Sequence, residues 1–338
     1  ANTSHDSRLP TPDSRRRRRP VQRYVIERLL LVIPTVLGVT MLLFLVMRVF
    51  LPADAVDLML AQADRVQDPE LRQQLEEEYG LNGSVAAQYV SWLGELVRGD
   101  LGVSLHTRRP VIDELKRRLP VTAELGFLAL AISMAIAIPV GVVSAIRQDT
   151  PIDYLLRGTA ILILAVPGFW LALLAITFGA RWFGWAPPVS YTTPFEDLAN
   201  NVKMMWLPAL ILGINLTGGV MRFTRTTLLE TLRQDYIRTA WAKGLRERTV
   251  VTRHALRNSL IPVVTIIGLE LPILIGGAVI TETVFNLPGV GRYVVDAFNT
   301  LDYPVAQGVT LLLALTVIFA NLAVDLTYAY LDPRIRYG

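Results

Sequence analysis

The sequence predicts an all-α integral membrane protein with six transmembrane helices. Three observations predict it: the length of the uncharged runs, the lack of strand-like alternation within them, and the sidedness of the basic residues. Of 338 residues, 52% are hydrophobic and 18% charged, against about 25% charged in an ordinary soluble domain. Distribution says more than the total. A helix needs about 20 apolar residues to cross roughly 30 Å of hydrocarbon. Leu29–Met47 supplies 19 uncharged residues, Leu125–Ile146 22, Gly158–Ala180 23, Met204–Met221 18 and Tyr303–Val324 22. One more run, Asn258–Thr281, the fifth in chain order, is interrupted once, by Glu270. None alternates as the strands of a membrane barrel do.

Lys and Arg set the orientation, because they accumulate on the cytoplasmic side. Six spans place both termini, the second loop and the fourth loop on one side. That side holds 21 of the 33 basic residues, including Arg15–Arg19 and nine between Arg222 and Arg257. The other side holds 12, nine of them between Arg48 and Arg118, where acidic residues outnumber them. The termini and the 222–258 loop are therefore expected in the cytoplasm. The chain divides into a disordered basic tail over 1–23, a first transmembrane helix over 24–50, an extracytoplasmic helical subdomain over 51–119, and a core of five transmembrane helices over 120–338. The Arg15–Arg19 run reads as a topology signal beside anionic lipid rather than as a nucleic-acid contact. Leu29–Met47 is too long for the apolar stretch of a signal peptide.

In the outer loop, Asp68-Pro69 predicts the start of a helix over Glu70–Tyr79 that stops at Gly80. Ser84 predicts the cap of a second, with Val85, Tyr89, Trp92, Leu93 and Leu96 on one face. Arg98-Gly99-Asp100 ends it, and Arg109-Pro110 opens a third helix that runs through Leu119-Pro120 into the second span. With no cysteine, no disulfide stabilises this loop.

Several chemistries are excluded. There is no GxxxxGK[ST] and no Gly-Lys pair, so the chain cannot build a phosphate-binding P-loop. No HExxH, GxSxG or cysteine cluster occurs. His5, His106 and His254 fall in regions that the membrane separates, so no metal site is expected. Gly289-Val290-Gly291 follows no strand and is not a nucleotide fingerprint.

The loop after the fourth span reads as a short helix, a glycine-assisted turn, and a second helix rising into the fifth span. Ile237, Ala240, Trp241 and Gly244 share one small apolar face, ringed by Arg238, Lys243 and Arg246. Such a ridge suits docking into a partner's groove, or lying on lipid; the residues alone leave both open. Tyr236–Leu245 reads Tyr-Ile-Arg-Thr-Ala-Trp-Ala-Lys-Gly-Leu, and His254–Val263 reads His-Ala-Leu-Arg-Asn-Ser-Leu-Ile-Pro-Val. This stretch resembles the EAA loop of ABC-importer permeases, in the form found in dipeptide and oligopeptide importers. Arg238-Thr239-Ala240 stands where the general pattern has Glu-Ala-Ala. Trp241 departs, since a basic residue is common there. Further segments resemble the same family: Arg98-Gly99-Asp100-Leu101-Gly102, Arg109-Pro110-Val111, Phe285 to Gly291, Asp302-Tyr303-Pro304 and Asp332 to Arg336. The long loop after the first span resembles the B-type subunit.

The resemblance implies a type I (MetI-like) permease core in the bacterial inner membrane, with a small helical extracytoplasmic subdomain after the first helix. It implies a C-type permease as heterodimer partner, two ABC ATPases and an extracytoplasmic binding protein. ATP and Mg would be bound by the ATPases, leaving this chain without a cofactor or catalytic residue. Docking would fall to Tyr236, Ile237, Arg238, Ala240, Trp241, Lys243, Gly244 and Leu245. Related systems carry peptides, glutathione, nickel chelates, haem and oligosaccharides. An ion-coupled secondary transporter is the alternative from another class.

Inside the spans, Glu270 is the one charge. A carboxylate at that depth costs about 2.5–3.5 kcal/mol on insertion scales, so it is expected to face a translocation path or a partner permease. Asn215 and Thr217, beside Gly218-Gly219, either line that path or serve close helix packing. Pro167-Gly168 and Pro272, with Gly276-Gly277, are candidate kinks and gate points; Pro262 is a further kink.

Overall fold

The computed structural model describes residues 21–47, 60, 69–70, 72–73, 83–184, 186–187 and 190–331. The helices are α1 (Val21–Leu45), α2 (Val85–Val97), α3 (Val111–Ile146), α4 (Pro151–Ala165), α5 (Gly168–Phe183), α6 (Leu198–Leu232), α7 (Asp235–Ala242), α8 (Glu247–Leu269), α9 (Leu271–Phe285), α10 (Val290–Thr300) and α11 (Tyr303–Leu331). Among the described residues β structure is limited to a lone antiparallel bridge between Val103 and Pro110. Four helices, α1, α3, α6 and α11, are long and apolar enough to cross a membrane unaided. The pairs α4–α5 and α8–α9 are bent by 92° and 47°, and counting each as one span brings the total to six.

The third and fifth expected runs are therefore broken rather than merely kinked. Pro167 lacks an N–H and pushes its predecessor out of the helical region. Val166 is accordingly extended at φ −93°, ψ 122°, and Pro167 caps the new helix. Pro272 sits in the first turn of α9, where its missing N–H is harmless. Pro262 is carried inside α8 without a break. Gly276 and Gly277 lie within regular α9, so the bend belongs to the Glu270–Pro272 junction and not to the glycines.

The centre of the bundle is the α3–α6 pair. Ala129, Ser133, Ala137, Gly141 and Ala145 recur every fourth residue on α3 and are all buried. That spacing lines one helical face with small side chains, which lets backbones approach closely. A Cβ on Gly213 of α6 would stand 2.6 Å from the Ala129 carbonyl, and one on Gly141 would stand 2.8 Å from the Met221 carbonyl. Leu125, Met204, Met205, Leu212, Leu274 and Phe285 fill the adjoining core with α9. A second core joins α1, the start of α3, α10 and α11 through Leu43, Val111, Val294 and Val309. Arg28 near the start of α1 pairs with Asp325 near the end of α11 at 2.7 Å, so the two ends of the described chain lie together.

Ser84 caps α2 by accepting from Ala87 N–H. Tyr89, Trp92, Leu93 and Leu96 are half-buried, but Val85 is exposed, so the packed stripe is shorter than the pattern suggests. Tyr89 and Trp92 gather with Phe44 of α1, and the Tyr89 hydroxyl lies 3.0 Å from Thr40 Oγ1. The expected Glu70–Tyr79 helix, the 1–20 tail and Asp332–Arg336 lie outside the described residues, Pro69, Glu70, Arg72 and Gln73 excepted, which are helical.

Candidate functional site

The cytoplasmic-loop candidate of the sequence is built by α7 and the turn after it. Leu245 N–H bonds to the Ala240 carbonyl and Gly244 N–H to the Trp241 carbonyl, a Schellman closure that requires a left-handed residue. Gly244 supplies it at φ +75°. Asn258 Nδ2 donates to the Tyr236 hydroxyl at 2.9 Å and ties α7 to α8. Within α8, Val250–Ala255 is π-helical, with Val250, Val251 and Ala255 buried.

The faces of α7 are sorted differently from the simplest expectation of one docking ridge. Ile237 and Ala240, 0% and 7% exposed, pack inward on Ala145 of α3, Leu228 of α6, Val250 and Ala255. They anchor the helix to its own chain. The outward face carries Tyr236, Trp241 and Leu245, each 40–50% exposed. Arg238 and Lys243 are exposed beside them.

At membrane depth the two broken spans meet the same stretch of α6. The Asn215 amide lies against Gly168 so closely that a Cβ there would stand 2.5 Å from its Nδ2. One helical turn on, Glu270 Oε1 stands 2.8 Å from where a Gly219 Cβ would be. Asn215 Nδ2 also donates to the Ile211 carbonyl at 2.9 Å. Glu270, Asn215, Gly168, Pro167 and Pro272 thus form one neighbourhood. Thr217 does not join it, because it is buried and its hydroxyl donates to the Gly213 carbonyl. Gly277 instead admits Leu212, whose Cδ1 would be 2.8 Å from a Cβ.

Three buried carboxylates were not singled out by the sequence. Glu282, 0% exposed, accepts from Thr122 Oγ1 at 2.6 Å and from Arg292 N–H at 3.1 Å. It closes the start of α10, where a Cβ on Gly289 would overlap the carboxylate. The glycines of Phe285–Gly291 are the signal that could have revealed it: they clear space for a side chain rather than for a phosphate. Asp302 accepts from Ser104 Oγ at 2.5 Å and from Leu105 N–H at 3.1 Å. A Cβ on Gly102 would stand 3.3 Å from Pro304 Cβ, so Arg98–Gly102 and Asp302–Pro304 are two halves of one contact. Asp153, also 0% exposed, pairs with Arg225. Outside the spans, Tyr191 donates to Glu124 at 2.7 Å. Burial, then that carboxylate, hold its hydroxyl above the usual phenol range, so it remains a donor that ties the 190–201 segment to α3.

Broken spans with a carboxylate and an amide at the breaks define the chain, by class, as a membrane permease. Comparison gives the particular lineage. Residues 137–337 match the family of binding-protein-dependent transport system inner membrane components. The chain is 40% identical to the oligopeptide transport system permease protein AppB of Bacillus subtilis. It is 38% identical to the dipeptide transport system permease proteins DppB of Alkalihalophilus pseudofirmus and Escherichia coli. Each match covers 93% of this chain and 99% of the relative. A chain of the MetNI methionine ABC transporter, solved in inward-facing conformations, is similar in fold, with a TM-score of 0.54 at 17% identity, over 65% of this chain and 97% of that one. The chain belongs to the family of binding-protein-dependent transport system inner membrane components.

Proposed function

We propose that the chain forms one permease half of an ATP-driven importer for peptides. It pairs with a C-type permease in a complex with two ABC ATPases, one of which docks from the cytoplasm on the outer face of α7. An extracytoplasmic binding protein delivers the solute on the other side. Both termini and the 222–258 loop are cytoplasmic, and 51–119 is outside. ATP and Mg are bound by the ATPases. The observation that carries the reading is α7 itself. It is anchored inward by Ile237 and Ala240 and offers Tyr236, Trp241 and Leu245, apolar and exposed, beside Arg238 and Lys243. A loop helix held firmly by its own chain can transmit a push, and its exposed aromatic side chains suit a groove. Dipeptide and oligopeptide permeases among the nearly full-length relatives support the solute class. Glu270 and Asn215, at the two breaks, line the path; Thr217 does not.

The test is reconstitution in liposomes with the partner permease, both ATPases and the binding protein, followed by uptake of a labelled dipeptide. Uptake that needs enclosed ATP and every subunit is expected. Uptake driven by an ion gradient without the ATPases would overturn the reading.

A further inference from the structure

A buried ion pair joins the broken third span to α6, beside the buried cluster in which α7 packs. Asp153, in the first turn of α4, accepts from Arg225 Nε at 2.9 Å and from Arg225 Nη2 at 2.7 Å. The Ser144 hydroxyl of α3 and the Asp149 N–H of the α3–α4 turn also donate to it. One carboxylate therefore fastens α3, the turn, α4 and α6 together. Arg157, one turn along α4, stands 4.0 Å away and is half-buried. The two-point fork of Arg225 fixes direction as well as distance.

The neighbours of this pair are the residues on which α7 rests. Ala145 follows Ser144 on α3, and Leu228 lies three residues beyond Arg225 on α6; both share one buried cluster with Ile237 and Ala240 of α7 and with Val250 and Ala255 of α8. At its other end α4 runs 15 residues to the 92° break, where Gly168 meets Asn215. A displacement of α7 thus reaches the Asp153–Arg225 pair through that cluster, and reaches the break through one rigid helix.

We propose that Asp153 and Arg225 are positioning residues for coupling: the pair makes α4 follow α7, so that movement of an attached ATPase is delivered to the Pro167–Gly168 break. This rests on the importer reading above. A buried pair can be replaced by apolar residues with little effect on folding, whereas removing one partner strands the other. The decisive variant is therefore the double substitution Asp153→Leu with Arg225→Met, which leaves no orphan charge.

Purified complexes carrying both ATPases are reconstituted, and labelled dipeptide moved per ATP hydrolysed is measured beside thermal stability. Wild-type ATPase stoichiometry and basal hydrolysis are expected in the double variant, with at least a tenfold fall in dipeptide moved per ATP. Arg225→Lys, which keeps the charge but not the fork, should fall less. A double variant that moves as much dipeptide per ATP as wild type, beside a wild type that is itself coupled, overturns this proposal alone. A wild-type complex that moves the dipeptide without consuming ATP overturns the importer reading, and this proposal with it.

Discussion

Trp241 and Ala240 are chain neighbours with opposite surroundings, and substitution separates them. Trp241→Ala removes an exposed ring; the permease should keep its thermal stability, while ATPase retention on an affinity column falls at least tenfold, about 1.4 kcal/mol. Ala240→Glu forces a charge against Ala145 and Leu228. It should lower the melting temperature of the permease itself, at a cost of about 3 kcal/mol or more. Gly244 has open space around a Cβ, so its only cost within the chain is left-handed strain, about 1–2 kcal/mol. Gly244→Asn should therefore be milder than Gly244→Leu in a thermal melt. Glu270→Leu should leave assembly intact and impair dipeptide uptake; unchanged uptake kinetics would place that carboxylate outside the path. At this scale the sequence motif marked the loop, but a helical face says only which residues lie together. It does not say whether the face meets the chain's own core or another protein. Glu282 escaped notice because it follows the fifth uncharged run by one residue and reads as an interfacial charge. Its partners, Thr122 and Arg292, are distant in sequence.

Among the elements, α3 and α6 pack with little slack. Gly213→Val would push side-chain carbon into the Ala129 carbonyl and Ile132. Overpacking of this kind costs typically 1–3 kcal/mol, so a lowered melting temperature is expected. Gly276→Val, on the open side of α9 where nothing lies within 4 Å, should leave the melt unchanged. The runs of uncharged residues located every span. They could not show that two spans are broken: the Val166–Pro167 break adds no polar residue, and Glu270 at the other break reads in the sequence as a lone charge within one span. Pro167-Gly168 marked the place. The size of the bend depends on how Gly168 seats beside Asn215, a contact between residues 47 positions apart. Arg98–Gly102 and Asp302–Pro304 were likewise legible as separate segments and invisible as one interlocked contact.

For the whole molecule, sidedness is the property most open to a direct test. The chain has no cysteine, so a single introduced thiol labels without background. Ser84→Cys should react with an impermeant maleimide from outside, and Arg246→Cys only after the membrane is opened; labelling of both from one side would contradict the topology. The basic-residue asymmetry predicts this arrangement, and the Arg28–Asp325 pair brings the two ends of the described residues together. One local feature bears on how such a chain tolerates change in length. Through Val250–Ala255 the helix is wound with more than the usual residues per turn. Removing one residue from a regular α-helix rotates everything beyond it by about 100°; here that would turn Glu270 away from Gly219. Loss of the exposed Thr252 would instead tighten the wide turn toward ordinary α winding. Val250 and Ala255 would then keep their common buried side, and the helical phase of everything after them would be preserved. This stretch is where the molecule can absorb a one-residue deletion without losing the alignment between its cytoplasmic loop and its membrane interior.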